Sequence, residues 1–237
     1  MKPLCSVCGR GGSKGVQNKN IRPLLGKPLL IHSLGQARES RLFDCIVVSS
    51  DSSKILKLAQ DWGVDHAIER PAELATDSAA KLPVIQHSFR TAETLSGITF
   101  DTVVDLDGTS PLRNQEDLKG ALELLESGGF VTNVITGTPA RRSPYFNLVE
   151  LDESGSVHLS GKRQNIDGTI VRRQDAPPCF DMNASIYMWT RKAILNSRSL
   201  YNKKTILYEM PASRSIDIDS KLDFEIVQFL LKKRKGI

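Results

Sequence analysis

The chain has 237 residues, of which 40% are hydrophobic and 25% are charged, a balance that allows a packed core and excludes a disordered chain. Its formal net charge of +5 favours anionic partners, which include small phosphates and carboxylates as well as nucleic acid. No apolar run is long enough to cross a bilayer and no secretory signal precedes the first strand, so we expect a cytoplasmic protein with no membrane partner.

The first half of the chain alternates strand-like and helix-like patterns. Apolar runs predict strands at Leu4–Cys8, Cys45–Ser49, Val64–Ile68 and Thr102–Leu106. Helical spacing predicts helices at Pro28–Arg38, after a cap at Asp51-Ser52-Ser53, at Leu82–Leu95 and at Gln115–Leu125. This rhythm predicts an α/β fold with a parallel sheet, helices on both faces and the loops after the strands gathered at one edge.

The second half departs from this rhythm. After a predicted strand at Phe130–Thr136, prolines and glycines interrupt the pattern, and short strands at Asn147–Glu150 and Val157–Leu159 predict an antiparallel insertion over residues 140–180. The core then resumes with three further elements, predicted at Met182–Thr190, Thr205–Met210 and Ser220–Leu231, the last of them a helix. We therefore predict a single domain over residues 1–237 that carries one inserted arm.

A glycine-rich basic loop follows the first predicted strand, over Gly9–Asn20. Its glycines let backbone N–H groups approach an anion, and Arg10, Lys14 and Lys19 add positive charge. The order of residues is not that of a P-loop, and Lys14 occupies the third glycine position of the dinucleotide fingerprint. The loop indicates a triphosphate site, and a plain glycine-rich turn remains the alternative.

Two carboxylates, Asp217 and Asp219, stand two residues apart near the end of the chain. In an extended segment such residues point to the same side, and Mg²⁺ bound to a triphosphate usually takes one or two carboxylates. The alternative is that Asp219 or Ser220 caps the last helix, and capping does not exclude metal binding.

A third polar segment, Asp105–Arg113, ends the strand at Thr102–Leu106, where ligands of open parallel sheets bind. A simple polar turn is the alternative interpretation. Cys5 and Cys8 form a lone C-x-x-C inside a predicted buried strand, which favours small buried thiols over a zinc or redox site.

Five segments together resemble the cytidylyltransferases that activate sialic acids and related nonulosonates. They occur in the family's order along nearly the whole chain, at Arg10–Asn20, Arg70–Asp77, Thr109–Arg113, Asn183–Tyr187 and Ser215–Asp219. Further segments resemble the CMP-legionaminic acid branch, and these are Lys81–Val84, Asp105–Asp107, Pro139–Glu150, Arg173-Gln174 and Cys179–Asn183. Where N-acetylneuraminate enzymes carry Gln-Pro-Thr-Ser-Pro, this chain has Asp107-Gly108-Thr109-Ser110-Pro111, which favours a different sugar.

The resemblance implies a Rossmann-like αβα sandwich with a mostly parallel sheet, and a role for each matching residue. The implied CTP-binding residues are Arg10, Gly11, Gly12, Ser13, Lys14, Lys19, Asn20 and Asp77. The implied sugar-binding residues are Asp107, Thr109, Ser110, Arg173 and Asn183, with Arg173 the candidate for the substrate carboxylate. The implied ligands of Mg²⁺ are Asp217 and Asp219, and these two act in catalysis with Arg10 and Lys19.

The family also implies a homodimer, in which the arm at residues 140–180 packs against the partner and reaches toward its site. The expected reaction is attack by the anomeric hydroxyl of an acidic nine-carbon sugar on the α-phosphate of CTP, with release of pyrophosphate. A hydroxyl whose pKa is lowered by the metal ranks above Asp107 as the explanation for proton removal.

Three rivals to this reading remain. One is the same transfer to N-acetylneuraminic, pseudaminic or Kdo-type acids. Another is a non-catalytic nucleotide-binding module, and the third is a dinucleotide oxidoreductase, which the missing third glycine disfavours. No nucleic-acid partner is expected.

Overall fold

The computed structural model describes residues 1–12, 15–145, 147–160 and 173–236. Its helices are α1 (Leu29–Ser40), α2 (Ser53–Trp62), α3 (Lys81–Ser96), α4 (Gln115–Glu126), α5 (Arg191–Asn196) and α6 (Lys221–Lys235). Its strands are β1 (Pro3–Cys8), β2 (Pro23–Leu24), β3 (Lys27–Pro28), β4 (Cys45–Ser50), β5 (His66–Glu69), β6 (Thr102–Leu106), β7 (Asn133–Pro139), β8 (Val149–Leu151), β9 (Val157–Leu159), β10 (Phe180–Thr190) and β11 (Thr205–Glu209).

Seven of these strands form the central sheet, in the order β11-β7-β10-β6-β1-β4-β5. Strands β6, β1, β4 and β5 pair in parallel, and β11 pairs in parallel with β7. Strand β10 runs antiparallel to both of its neighbours, β6 and β7. The predicted mostly parallel αβα sandwich is therefore confirmed, with one reversed strand that the sequence pattern did not indicate.

Alternation along the strands divides the core between the two faces of the sheet. In β1, Cys5 and Val7 belong to the cluster that packs against α1, α2 and α4, whereas Leu4 belongs to the cluster that packs against α3 and α5. Successive strand residues point to opposite faces, so the nearly unbroken burial of β1 and β4 reflects a sheet covered on both sides.

A third cluster joins the two ends of the chain. Helix α6 contributes Phe224, Val227 and Leu231, which pack with Val16 of the glycine-rich segment and with Ile218. Because Val16 belongs to the loop after β1 and Ile218 to the segment before α6, this cluster brings the two segments together.

The predicted elements agree with the structure apart from their ends and a few omissions. The hairpin β2–β3 and the short helix α5 were not predicted. The strand expected from Phe130 begins at Asn133, and Phe130 itself is exposed. Among the described residues, no helix is long and apolar enough to span a bilayer.

The predicted insertion leaves the sheet between β7 and β10, whose pairing closes at Pro139 and Phe180. Strands β8 and β9 form a separate antiparallel pair, from Val149 opposite Leu159 to Leu151 opposite Val157. The small antiparallel unit is thus confirmed, whereas its role in dimerisation stays a prediction.

Candidate active site

The strands β1, β4 and β6 end at the same edge of the sheet, and the segment before α6 closes over that edge. A cavity of about 370 Å³ lies there. Its lining contains Cys8, Arg10, Gly15, Lys19, Asn20, Asp107, Thr109, Asp217 and Asp219. The basic loop and the two C-terminal carboxylates, which the sequence places about 200 residues apart, therefore face one cavity.

Three contacts hold the glycine-rich loop at this edge. The Gly11 N–H donates to Asp51 Oδ1 at 2.9 Å, and Asn20 Nδ2 donates to the Arg10 carbonyl at 3.0 Å. A Cβ atom on Gly15 would lie 2.0 Å from the Asp219 carbonyl oxygen, so only glycine allows this approach. The N-cap of α2 is Ser52, within the predicted capping segment, but its side chain makes no capping bond, and the Asp51 carboxylate holds the loop instead.

Lys19 links the loop to the C-terminal segment directly. Its ammonium donates to the Ile218 carbonyl at 2.5 Å and to Asp219 Oδ1 at 3.0 Å. The cap of α6 is Ser220, whose hydroxyl accepts from the Asp223 N–H at 3.2 Å in a capping box. Because Ser220 caps the helix, both preceding aspartates remain available to the cavity.

Asp217 lies deeper in the cavity than Asp219. Its carboxylate lies within hydrogen-bond distance of the Thr109 hydroxyl, which also approaches Asp107 and has one proton for the two carboxylates. Burial, reinforced by the nearby negative charge of Asp107, raises the pKa of Asp217 above its usual value. A divalent cation beside this carboxylate would favour its ionised form, which is the form that binds metal.

The donor set of the cavity fits Mg²⁺ held jointly with phosphates. Two carboxylates, Asp217 and Asp219, line the same space. Within the described ranges there is no group of three or more histidine, cysteine, aspartate or glutamate side chains that could hold a metal by themselves. Magnesium usually binds one or two carboxylates and completes its shell with water and phosphate oxygens, so two are sufficient.

A buried cluster of charges stands behind the cavity. Lys81 Nζ lies 2.8 Å from Asp107 Oδ2 and 3.2 Å from Asp105 Oδ2. Burial by itself lowers the pKa of Lys81, but the two carboxylates outweigh it and raise this pKa above its usual value. Burial likewise opposes ionisation of Asp107, yet Lys81 and Thr109 hold its pKa well below the usual range. Asp105 is fully buried, and burial raises its pKa.

Arg113 fixes the backbone under this cluster. Its guanidinium is buried and donates to the Asp107 carbonyl, to Ser33 Oγ at 2.6 Å and to the Ser185 carbonyl at 2.7 Å. The segment Asp105–Arg113 is therefore more than a polar turn, because its last residue braces its first loop position against α1 and β10.

A second cavity, of about 240 Å³, adjoins the first and shares Cys8, Arg10 and Asp107 with it. Arg10 Nη1 pairs with Asp77 Oδ1 at 2.6 Å at this boundary. The second cavity is also lined by Arg70 and Lys81, which do not line the first. Sequence reasoning assigned no role to these two, although both lie in segments that carry the family resemblance.

The remaining predicted site residues lie in different surroundings. Asn183 is buried, where its amide accepts from Thr136 and donates to Ser215, and Ser110 is buried as well. Neither of them is among the described residues that line the two cavities. Gly12 has open space where a Cβ would stand. Ser13, Lys14 and the side chain of Arg173 lie outside the described residues.

The cysteines agree with the interpretation as small buried thiols. Cys5 is fully buried, Cys8 is partly buried, and both are free. Burial, followed by the charge of Asp105, raises the pKa of both thiols well above the usual value. A thiol with a raised pKa is a poor nucleophile and a poor metal ligand.

A glycine-rich basic loop facing two carboxylates at the carboxyl edge of a parallel sheet defines a protein that binds nucleoside phosphates. The family model for cytidylyltransferases matches residues 5–225, and the chain belongs to that family.

Two curated relatives are similar over nearly the full length of both chains. CMP-N,N'-diacetyllegionaminic acid synthase of Campylobacter jejuni is 44% identical over 228 residues, covering 96% of this chain and 94% of its own. Post-translational flagellin modification protein B of Campylobacter coli is 42% identical over 231 residues, covering 98% and 95%. Among solved structures, CMP:2-keto-3-deoxy-manno-octonic acid synthetase complexed with CTP has a TM-score of 0.71 at 15% identity, covering 99% of this chain and 100% of its own, which supports the fold alone.

Proposed function

We propose that this protein transfers CMP from CTP to the anomeric hydroxyl of N,N'-diacetyllegionaminic acid, a nine-carbon acidic sugar, with release of pyrophosphate. The observation that carries the proposal is the meeting of Arg10 and Lys19 with Asp217 and Asp219 around one cavity. The family match and the 44% identity with the legionaminate enzyme support the choice of nucleotide and sugar.

The basic and the acidic residues of the cavity have different roles. Arg10 and Lys19 offset negative charge on the CTP phosphates, and the glycine-rich backbone lets the phosphates approach closely. Asp217 and Asp219 would hold Mg²⁺, which would polarise the phosphoryl oxygens and ease loss of the proton from the attacking hydroxyl. In phosphoryl-group chemistry, positioning and charge stabilisation provide most of the catalysis, and these residues supply both.

In this proposal Asp107 recognises the sugar through a hydrogen bond and does not serve as general base. Its pKa is held well below the usual range, so its carboxylate is a weak proton acceptor near neutral pH. The same charge makes it a strong hydrogen-bond acceptor for a hydroxyl or amide N–H of the sugar.

The arm supports a homodimer. Strands β8 and β9 expose Val149, Leu151 and Val157, with 54%, 70% and 64% of each residue's surface accessible. A two-stranded unit with exposed apolar side chains is unstable by itself and gains stability by packing against another surface. The proposed partner is a second copy of this chain. We also propose a cytoplasmic location, where CTP is available.

A pyrophosphate-release assay tests the reaction and the sugar together. CTP is offered with N,N'-diacetyllegionaminic, pseudaminic, N-acetylneuraminic or Kdo acid, with Mg²⁺ or with EDTA. We expect Mg²⁺-dependent release that is fastest with the legionaminate. CTP binding without pyrophosphate release from any of the four would instead indicate a non-catalytic nucleotide-binding module.

Asp107→Gln tests the sugar assignment, since it installs the residue found in N-acetylneuraminate enzymes. We expect the ratio of kcat/KM for legionaminate over N-acetylneuraminate to fall about tenfold or more, the worth of one charge-assisted hydrogen bond. Asp61→Gln, on the exposed surface of α2, is the matched control. An unchanged ratio in the Asp107 variant would show that Asp107 does not read the sugar.

A further inference from the structure

Lys81 contacts two residues of the sheet, Asp105 and Tyr187, and Asp107 just after β6. It is the first residue of α3, and its Nζ lies between Asp107 Oδ2 at 2.8 Å and Asp105 Oδ2 at 3.2 Å. The two aspartates are two residues apart at the end of β6, so they face the same side. Tyr187 pairs with Asp105 in register, and Lys81 Nζ lies 4.6 Å from the centre of its ring.

The contacts of Asp107 leave a defined place for a substrate group. Its Oδ1 accepts from the Thr109 N–H at 2.9 Å and lies 2.7 Å from the Thr109 hydroxyl, whose single proton it shares with the Asp217 carboxylate. Its Oδ2 accepts from Lys81 Nζ at 2.8 Å. A carboxylate oxygen has two lone-pair directions, so the contacts given by the described residues occupy both on Oδ1, one of them with the shared Thr109 hydroxyl, and one on Oδ2.

Asp107 also stands at the boundary of the two cavities, since it lines both, whereas Lys81 lines only the second. A ligand in the cleft can therefore reach the unfilled lone-pair direction on Asp107 Oδ2. The Asp107 backbone is held as well, because its carbonyl accepts from Ser33 Oγ at 2.9 Å and from Arg113. The carboxylate is thus braced at its backbone, at Oδ1 and at Oδ2.

Asp105 explains why the ammonium stays where it is. This carboxylate is completely buried, and neither of its oxygens makes an aligned hydrogen bond with the described residues, although Lys81 Nζ is within ion-pair distance. An uncompensated charge at such a place is costly, so Asp105 draws the Lys81 ammonium inward. The Lys81 ammonium is then shared between the Asp105 and Asp107 carboxylates and does not pair with Asp107 alone.

We infer that Lys81, anchored by Asp105, is a positioning residue that aims the Asp107 carboxylate at a hydroxyl or amide N–H donor on the acidic sugar. This inference rests on the proposed function, since it names the contact through which the same site recognises its sugar. Lys81 acts through Asp107, so its loss affects sugar binding more than nucleotide binding.

Lys81→Met alone leaves Asp105 buried without a cation, which endangers the fold. The test variant is therefore the double substitution Lys81→Met with Asp105→Asn, which removes both charges at nearly constant shape. Lys57→Met, at an exposed lysine of α2, is the matched control. Thermal unfolding by circular dichroism establishes that each variant is folded before its kinetics are measured.

Steady-state pyrophosphate release is then measured with CTP and N,N'-diacetyllegionaminic acid. In the double variant we expect the KM for the sugar to rise about tenfold or more, which corresponds to the weakening of one charge-assisted hydrogen bond, while the KM for CTP stays within about twofold. The Lys57 control keeps both constants. An unchanged sugar KM, or an equal rise in both constants, overturns the positioning role.

The wild-type protein separates the two claims. If it releases no pyrophosphate with any of the four sugars, the proposed function fails, and the inference that rests on it fails too. If the wild type is active and the folded double variant keeps its sugar KM, only the role of Lys81 and Asp105 is refuted.

Discussion

Replacement of Arg113 by methionine gives the most direct test of how the site is supported. The arginine is 1% exposed, and methionine approximates its length without the charge. The guanidinium donates to four acceptors, which are the carbonyls of Asp107 and Ser185, Ser33 Oγ and Gln36 Oε1. Arg113→Met removes all four donors from a region that water does not reach.

The expected loss in the free energy of unfolding depends on which hydrogen bonds each acceptor keeps after the substitution. A hydrogen bond from a charged donor is worth about 1.5–3 kcal/mol, so four give an upper bound of about 6–12 kcal/mol. The Asp107 carbonyl still accepts from Ser33 Oγ at 2.9 Å, and the Ser185 carbonyl still accepts from the Asp107 N–H at 3.1 Å. Removal of the buried charge also recovers its desolvation cost, so we expect a net loss of about 3–5 kcal/mol.

Urea unfolding measures this loss, with tryptophan fluorescence, to which Trp62 and buried Trp189 contribute, as the signal. A loss of about 3–5 kcal/mol is a large part of the about 5–15 kcal/mol that stabilises a typical domain, so the midpoint should fall clearly. Arg90→Met, at an exposed position of α3, is the control and should change stability by at most about 0.5 kcal/mol. A loss below about 1 kcal/mol for Arg113→Met would refute the bracing role of this arginine.

Two further predictions concern the segment before α6. Asp217→Asn should reduce turnover about a hundredfold or more while the fold survives, because an amide is a weaker magnesium ligand, and near-normal turnover at ordinary Mg²⁺ concentrations would contradict the metal role. Ser220→Ala should lower the free energy of unfolding by about 1 kcal/mol at pH 7 through loss of the capping box. The hydrogen bond from the Ser220 hydroxyl lowers the pKa of Asp223, so the part of the contribution made to this carboxylate is present above the unfolded-state pKa of about 3.9 and is lost as pH falls through the folded-state pKa, whereas the bond accepted from the Asp223 N–H does not titrate. Urea unfolding at pH 7 and at pH 2.5 measures it, and an equal loss at both values would contradict the linkage.

Much of the fold could be predicted from sequence because its signals are local. The apolar run of β1 and the helical spacing of α4 each arise within about a dozen residues, and so both elements were recognised. The reversed direction of β10 had no such signal, since a buried strand has the same pattern in either direction. The hairpin β2–β3 is two residues per strand, too short for any periodicity.

The residues of the candidate site likewise differ in whether a local sequence pattern could identify them. Arg10, Lys19, Asp217 and Asp219 belong to short segments whose residue types indicate phosphate and metal binding, and they could be named from the sequence. The segment Asp51-Ser52-Ser53 was assigned to a helix cap because that is the usual role of its local pattern, yet the Asp51 carboxylate accepts from the Gly11 N–H, 40 residues away. A local rule could not anticipate that partner.

The sequence by itself determined which groups this protein brings to its chemistry: a flexible basic loop, a pair of late carboxylates and Asp107 at the end of a strand. Only the tertiary structure decided how they are supported, through Lys81 between Asp105 and Asp107 and through Arg113 beneath them. The physical reason is that residue type and spacing express local conformational preference, whereas the ionisation and direction of a buried charge depend on neighbours that the chain supplies from distant positions.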